Sequence, residues 1–382
     1  MKVIGILCEY NPFHLGHQKQ LDMIRRLQGA DCAIVCLMSG NFVQRGAPAV
    51  FDKSLRARAA VACGADLVLE LPVTYALSSA EGFAAGAVKT LSGFCHGMCF
   101  GAETGTADSL METARILLSE EFSTALRQQL DTGKSFPAAR QAALEAMGAD
   151  ASLLASPNDI LAVEYCKAII VQGSPMQPLP IHRQGDYHAD TPDTANPSAT
   201  AIRRLIQENK DWRPYIPETA ADIFRDAPSY DLSAGEKAIL YRLRTMTDDE
   251  FAALPYGSEG LWRKLMHASR SCATLEDILT TTKSKRYTRT RLDRMVMCAL
   301  LGITERDICS PAPYTRVLAF GQRGKTVLKL AREQGLFPHI GESVDDPYWN
   351  LEQRCDDIYD LFRQTPTSAG QAQRRRVWIE GL

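Results

Sequence analysis

A chain of 382 residues, 45% apolar and 23% charged, is long enough for two domains with separate cores. Its formal net charge of −2 excludes a wholly basic nucleic-acid binder, although it leaves room for a local basic face. No apolar run approaches the roughly 20 residues that span a bilayer, so no membrane is expected.

Residues 2–7 read as a buried strand that runs straight into a polar turn, not as a signal peptide. Residues 14–27 carry helical periodicity through Leu21, Ile24 and Leu27, and 33–38 form a second apolar strand. A helix over 53–63 closed by Gly64, a strand at 67–71, a helix over 79–91 and a strand at 98–100 follow. This alternation of strands and helices, with strands apolar throughout, predicts an α/β fold with a parallel sheet covered on both faces. Residues 109–172 turn helical, a Pro-rich stretch leads into a short apolar PLPI, and Asn196–Thr200 reads as the turn and cap of a further helix. After about Asp211 strand signals thin out. The expected organisation is therefore an N-terminal domain over 1–211 and a mainly helical C-terminal domain over 212–382.

Eleven cysteines lie scattered, several in apolar stretches (Cys32, Cys36, Cys63), as reduced buried thiols of the cytoplasm would. Cys95, His96 and Cys99 have no second Cys/His pair at matching spacing, so a zinc site is rejected.

The chemistry concentrates at the ends of the expected strands, where parallel sheets bind ligands. After the first strand comes EYNPFHLGH, in which His14 and His17 fall on one face of a helix's first turn. The backbone N–H groups there favour an anion, and Gly16 lets a flat group such as a nucleotide base come close. These parts suit a nucleoside triphosphate held at its α-phosphate. The next strand ends in SGNFVQRGAPA, rich in donors at Asn41, Gln44 and Arg45, and a third loop is FGAETG. Asn158 opens a helix, where capping and ligand contact are equally served. Arg183 suits either a ligand or a surface ion pair. SATAIR offers hydroxyls and Arg203, as a phosphate grip or as a cap with a solvated arginine. Further on, KSKRYTRTRLDRM is a basic run with one aromatic and one acid. It reads as a solvated helix face or as a surface for folded RNA, carried by Lys283, Lys285, Arg286, Arg289 and Arg291.

Taken in order, EYNPFHLGH, MSGNFVQRGAPA, GADLVLELP, FGAETG, SPNDIL, HR..GDYH, SATAIR, KRYTRTRLDR and YTRVLAF resemble the tRNA(Met) cytidine acetate ligase family, within the HIGH-type nucleotidyltransferases. The resemblance implies a Rossmann-like ATP- and acetate-activating domain followed by a helical tRNA-binding domain. It implies that acetate is activated with ATP to an acetyl-adenylate, magnesium accompanying the nucleotide. The acetyl group then passes to the wobble cytidine of elongator tRNA(Met), giving N4-acetylcytidine. By position, the ATP site is implied over Leu7, Cys8, Glu9, Tyr10, Asn11, Pro12, Phe13, His14, Leu15, Gly16, His17, Gln18, Lys19 and Gln20, with Gly101, Asn158 and Arg183. His14 and His17 are the expected catalytic pair, and Asn41, Gln44 and Arg45 are expected on the acetate or cytidine side. An adenylyltransferase for a small cofactor precursor and a non-catalytic RNA-binding protein are the competing readings. The first has no need of a basic helical half. The second has no need of both imidazoles.

Overall fold

The computed structural model describes residues 1–182, 197–335 and 347–381. Arg183, and Tyr187 and His188 of the HR..GDYH stretch, lie outside them. The described strands are β1 (Val3–Cys8), β2 (Ala33–Ser39), β3 (Phe42–Val43), β4 (Ala47–Pro48), β5 (Leu67–Leu71), β6 (Gly97–Ala102), β7 (Gln177–His182), β8 (Val317–Phe320) and β9 (Trp378–Ile379). Seven of them make one sheet in the order β7-β6-β1-β2-β5-β8-β9, while β3 and β4 pair as a short antiparallel hairpin. From β7 to β5 all pairings are parallel.

The apolar runs explain the layering. Every residue of β2 and β5 is buried, because successive side chains point to opposite faces and both faces are covered. Val35, Leu37, Leu67 and Leu69 pack with Phe83, Val88 and Leu91 of the helix Ala80–Leu91. Ile34, Cys36, Met38 and Val68 pack on the other side with Leu21 and Ile24 of α1 (Leu15–Gln28). The strand order reverses at β1, which has β2 on one side and β6 on the other. Loops leaving the carboxyl ends of β1 and β6 therefore flank the crevice where such sheets take ligands.

Beyond residue 212 the chain is mainly helical, built around the buried face of Arg289–Leu301. It is not only helical: β8 lies antiparallel to β5 and β9 runs parallel to β8, so the chain returns to cover a sheet edge. A four-residue strand with alternating burial and a two-residue one fall below what periodicity detects. The helical core also takes in Phe42, Val73 and Leu77 from the first half of the chain. Among the described residues no helix is long and apolar enough to cross a membrane.

A buried ion cluster ties the same parts together. Lys53 Nζ lies 2.7 Å from Glu70 and 2.6 Å from Asp356, and Arg316 Nε lies 2.7 Å from Glu70. The Arg316 guanidinium also reaches Asp356 at 3.1 Å and Glu352 at 3.4 Å. Glu352 in turn accepts the Val73 N–H at 2.8 Å and the Tyr348 hydroxyl at 2.9 Å. Two cations face three carboxylates, and Glu352 absorbs the surplus. Burial, together with the neighbouring Glu70, pushes its carboxyl up to about 7. Asp356 is held below its ordinary range because Lys53 and Arg316 outweigh the burial that opposes ionisation.

Between about pH 4.5 and 7 the folded chain thus keeps a proton that the unfolded chain has lost. The contribution of Glu352 is complete below that window and decays as pH rises through it. The Asp356 contribution is lost only at lower pH, as pH falls from its ordinary value through its depressed one. Urea midpoints measured from pH 5 to 8 should fall with rising pH. Glu352→Gln should flatten that dependence by an amount on the order of 3 kcal/mol.

Candidate active site

The turn after β1 is held in one shape by its own side chains. Tyr10 takes a left-handed φ of 43°, and the Asn11–Pro12 bond is cis. The buried Tyr10 ring packs edge-on to Phe13 at 4.9 Å and against His17 at 4.7 Å, and its hydroxyl lies 3.3 Å from the Cys36 sulfur. His14 then acts as the N-cap of α1. Its Nδ1 accepts the Gly16 N–H at 3.1 Å, and His17 Nδ1 accepts the His14 N–H at 3.2 Å. This is a capping box built from two imidazoles, where carboxylate or hydroxyl oxygens are usual.

That geometry fixes the protons. A ring nitrogen that accepts a hydrogen bond carries no hydrogen, so each neutral imidazole holds its proton on Nε2. The rings stack with centroids 3.7 Å apart and 25° between planes. Two N–H donors thus sit beside the positive end of a 14-residue helix with no acid in its first turn. Gly16 serves this arrangement directly. A Cβ there would lie 2.9 Å from His14 Cε1, so the room left by the missing side chain is filled by the His14 ring.

The loops after β1 and β2 are stitched together by Arg56, on the helix Lys53–Ala62, which sequence reasoning missed. Its guanidinium is fully buried and donates to the carbonyl oxygens of Glu9, Gly40, Phe51 (2.8 Å) and Ser39 (3.2 Å). Burial pulls its basicity down, and the nearby Tyr359, Asp52 and Glu9 counter that. Glu9 accepts the Gln44 N–H at 2.9 Å, which brings the second loop against the first. Asn41 is buried, donates to Asp356 at 3.0 Å and accepts the Lys53 N–H at 2.8 Å, so both ends of its amide face the ion cluster. Gln44 is half-buried and Arg45 exposed. Arg203 donates to the Asn11 carbonyl at 2.8 Å and to Thr200 at 3.0 Å. Leu7, Cys8 and Gln20 stay along the strand and the sheet-facing side of α1, with Cys8 directed at the Leu37 carbonyl and Gln20 at Cys99. Gln18 turns away to Asp22 and the Cys63 carbonyl, while Lys19 is exposed.

At the end of β6, FGAETG and SPND cap each other. Asp159, fully buried, accepts the N–H groups of Glu103 (2.9 Å), Thr104 (3.0 Å) and Gly105 (3.4 Å) and the Thr104 hydroxyl (2.8 Å). Burial pushes its carboxyl upward, but these bonds hold it below the ordinary range. Glu103 returns the favour at the N–H groups of Asn158 (3.3 Å) and Asp159 (2.9 Å), and it also takes the Asn158 side-chain amide. Asn158 and Gly101 are thereby fixed at the end of β6, next to β1.

The basic run divides in two. Arg289 forms paired bonds to Glu276 (2.8 and 2.7 Å) and a further one to Asp293 (2.9 Å). Arg291 donates to the Tyr256 carbonyl (2.7 Å) and Ser258 (2.9 Å) and lies over the Tyr287 ring. Lys283, Lys285 and Arg286 are exposed, Arg286 reaching Glu259 at 3.2 Å. The helix that follows touches the site: Arg294 donates to the Gln44 carbonyl at 3.4 Å, and a Cβ at Gly46 would collide with the backbone of Asp293 and Arg294.

A parallel sheet with a two-histidine helix start at its switch point is the architecture of a HIGH nucleotidyl transferase, and the HIGH Nucleotidyl Transferase family model matches residues 1–374. A tRNA(Met) cytidine acetate ligase of Acetivibrio thermocellus is 34% identical, the alignment covering 99% of this chain and 100% of that protein. The same-named protein of Syntrophomonas wolfei is 38% identical over 96% of each. Among solved structures, apo Thermotoga maritima TmcAL superposes with a TM-score of 0.89 at 30% identity, covering 99% of both chains. Its form bound with alpha-thio ATP gives 0.87. The chain belongs to the tRNA(Met) cytidine acetate ligase family.

Asp159→Ala strips three backbone N–H groups of their acceptor. It should cost about 3 kcal/mol of stability in urea titrations and raise amide exchange at Thr104, with Asp159→Asn milder because one acceptor oxygen remains.

Proposed function

We propose that this protein activates acetate with ATP and transfers the acetyl group to the exocyclic amine of the wobble cytidine of elongator tRNA(Met). The observation that carries the reading is the pair of stacked imidazoles whose Nδ1 atoms are occupied by the first N–H groups of α1. This assigns each neutral ring's proton to Nε2, and an N–H donor suits the charge that builds on an α-phosphate under attack. The membership of the family and the alpha-thio ATP complex of a 30%-identical structure support the nucleotide.

In the first step an acetate oxygen bonds to the α-phosphorus while the bond to the β-phosphate breaks and pyrophosphate leaves. His14 and His17 donate to phosphate oxygens where negative charge accumulates, as an oxyanion hole does at carbon. In the second step the cytidine N4 bonds to the acetyl carbon, the bond to AMP breaks, and the amine loses a proton. Both nucleophiles are weak, so orientation and an activated donor matter more than a strong base.

Gly101 and Asn158, held by the Glu103–Asp159 exchange, would border the nucleotide, as would Arg183. Gln44 and Arg45 would face acetate or cytidine, whereas Asn41 would act by fixing that loop to the ion cluster. Magnesium would arrive with the triphosphate as part of the substrate. Among the described residues no group of three or more His, Cys, Asp or Glu side chains is arranged to hold a metal ion. We assign residues 1–211 to activation and 212–382 chiefly to tRNA binding. The reaction belongs in the cytoplasm, which the eleven free cysteines suit.

Incubation with ATP, labelled acetate and bulk tRNA should place label in tRNA. Adenylate that forms without any transfer would overturn the acceptor assignment. His17→Ala should lower acetate-dependent ATP–pyrophosphate exchange roughly 100- to 1,000-fold while tRNA affinity holds.

A further inference from the structure

The basic run faces more than solvent. A groove of about 600 Å³ separates the turn that carries Lys283, Lys285 and Arg286 from Pro137, at the start of the helix Phe136–Ala146. That helix belongs to the segment inserted between β6 and β7, so the two walls come from opposite halves of the chain. Phe136, next in sequence to the groove-lining Pro137, is 55% exposed, a large aromatic surface left to solvent. The helix it opens has no side-chain cap at Ser135 and no acid in its first turn.

We propose that this groove is a seat for single-stranded RNA, shared between the halves. Backbone phosphates rest on Lys283, Lys285 and Arg286, and an unstacked base lies on the Phe136 ring. The proposal deepens the tRNA reading above and rests on it. Combining cations that follow a backbone with an aromatic ring for a base is the general chemistry of single-strand recognition.

The inference also redistributes the arginines. Arg289 is matched by two carboxylates and Arg286 reaches one, whereas Arg291, held by a neutral carbonyl and a hydroxyl, keeps its charge while shaping the turn. From the groove the helix Arg289–Leu301 runs to Arg294, which touches Gln44. Five residues of helix span roughly 8 Å, about the reach of one or two nucleotides, so a strand in the groove has a short path to the loop beside the site.

The test is tRNA binding by fluorescence anisotropy, using an unmodified elongator tRNA(Met) transcript over a range of salt, on the full chain. Phe136→Ala should weaken binding about tenfold and Phe136→Tyr should restore it. Replacing Lys283 and Lys285 together by Gln should reduce the slope of log affinity against log salt by about 1.5. Thermal midpoints within a degree or two of the parent would establish that the fold is kept. Unchanged affinity in Phe136→Ala, an unchanged salt slope in the double variant, or failure of Phe136→Tyr to rescue a weakened Phe136→Ala would each overturn the groove. If the unaltered protein neither binds nor acetylates tRNA, the acceptor reading fails instead.

Discussion

A guanidinium closed inside the protein organises this site. Arg56 is fully buried and spends its donors on main-chain carbonyls of three separate segments: the turn after β1, the end of β2, and Phe51. Carbonyl oxygens in such a place need donors, and a buried cation needs acceptors, so each side makes the other tolerable. Because Glu9 is one of the anchored residues, the turn that delivers His14 and His17 to the head of α1 inherits its position from this one side chain. Arg203 secures the same turn from outside, at the Asn11 carbonyl.

The other loops follow the same logic of satisfying backbone groups with charged side chains. Asp159 and Glu103 hold each other's main chains at the end of β6, and Glu9 holds the loop after β2 through Gln44. None of these charges has to act on a substrate to matter. They fix the spacing between three strand ends, and that spacing turns separate loops into a concave surface. The contact of Gly46 with the main chain at Asp293 and Arg294 brings the helical half into that surface as a wall.

Much of this was legible from the sequence. Continuous apolar runs gave β1, β2, β5 and β6 because parallel strands buried on both faces leave no polar side to confuse the pattern. HxGH stood out because two histidines at helical spacing after such a run are chemically unusual. What stayed hidden was long-range. Arg56 and Arg58 sit two residues apart on one helix. The first is buried and the second exposed, and no local rule tells them apart. Asn158 and Asp159 adjoin, and only tertiary structure shows that the aspartate carries the loop while the asparagine leans on Glu103. At Gly16 the missing side chain was legible, but not that the His14 ring lies where a Cβ would stand. Within the basic run, Arg289 could not be separated from Lys283 without knowing that Glu276, thirteen residues earlier, pairs with it.

The ion cluster bears on whether the N-terminal half of the chain is a separable module. Lys53 and Glu70 belong to the sheet half, and Arg316, Glu352 and Asp356 to the other. Cutting the chain near residue 212 would expose the β5 edge and the apolar contacts of Phe42, Val73 and Leu77. It would also leave Lys53 and Glu70 only each other, without the bonds to Asp356 and Arg316 that complete the cluster. A boundary near residue 212 therefore divides the sequence without dividing the interior.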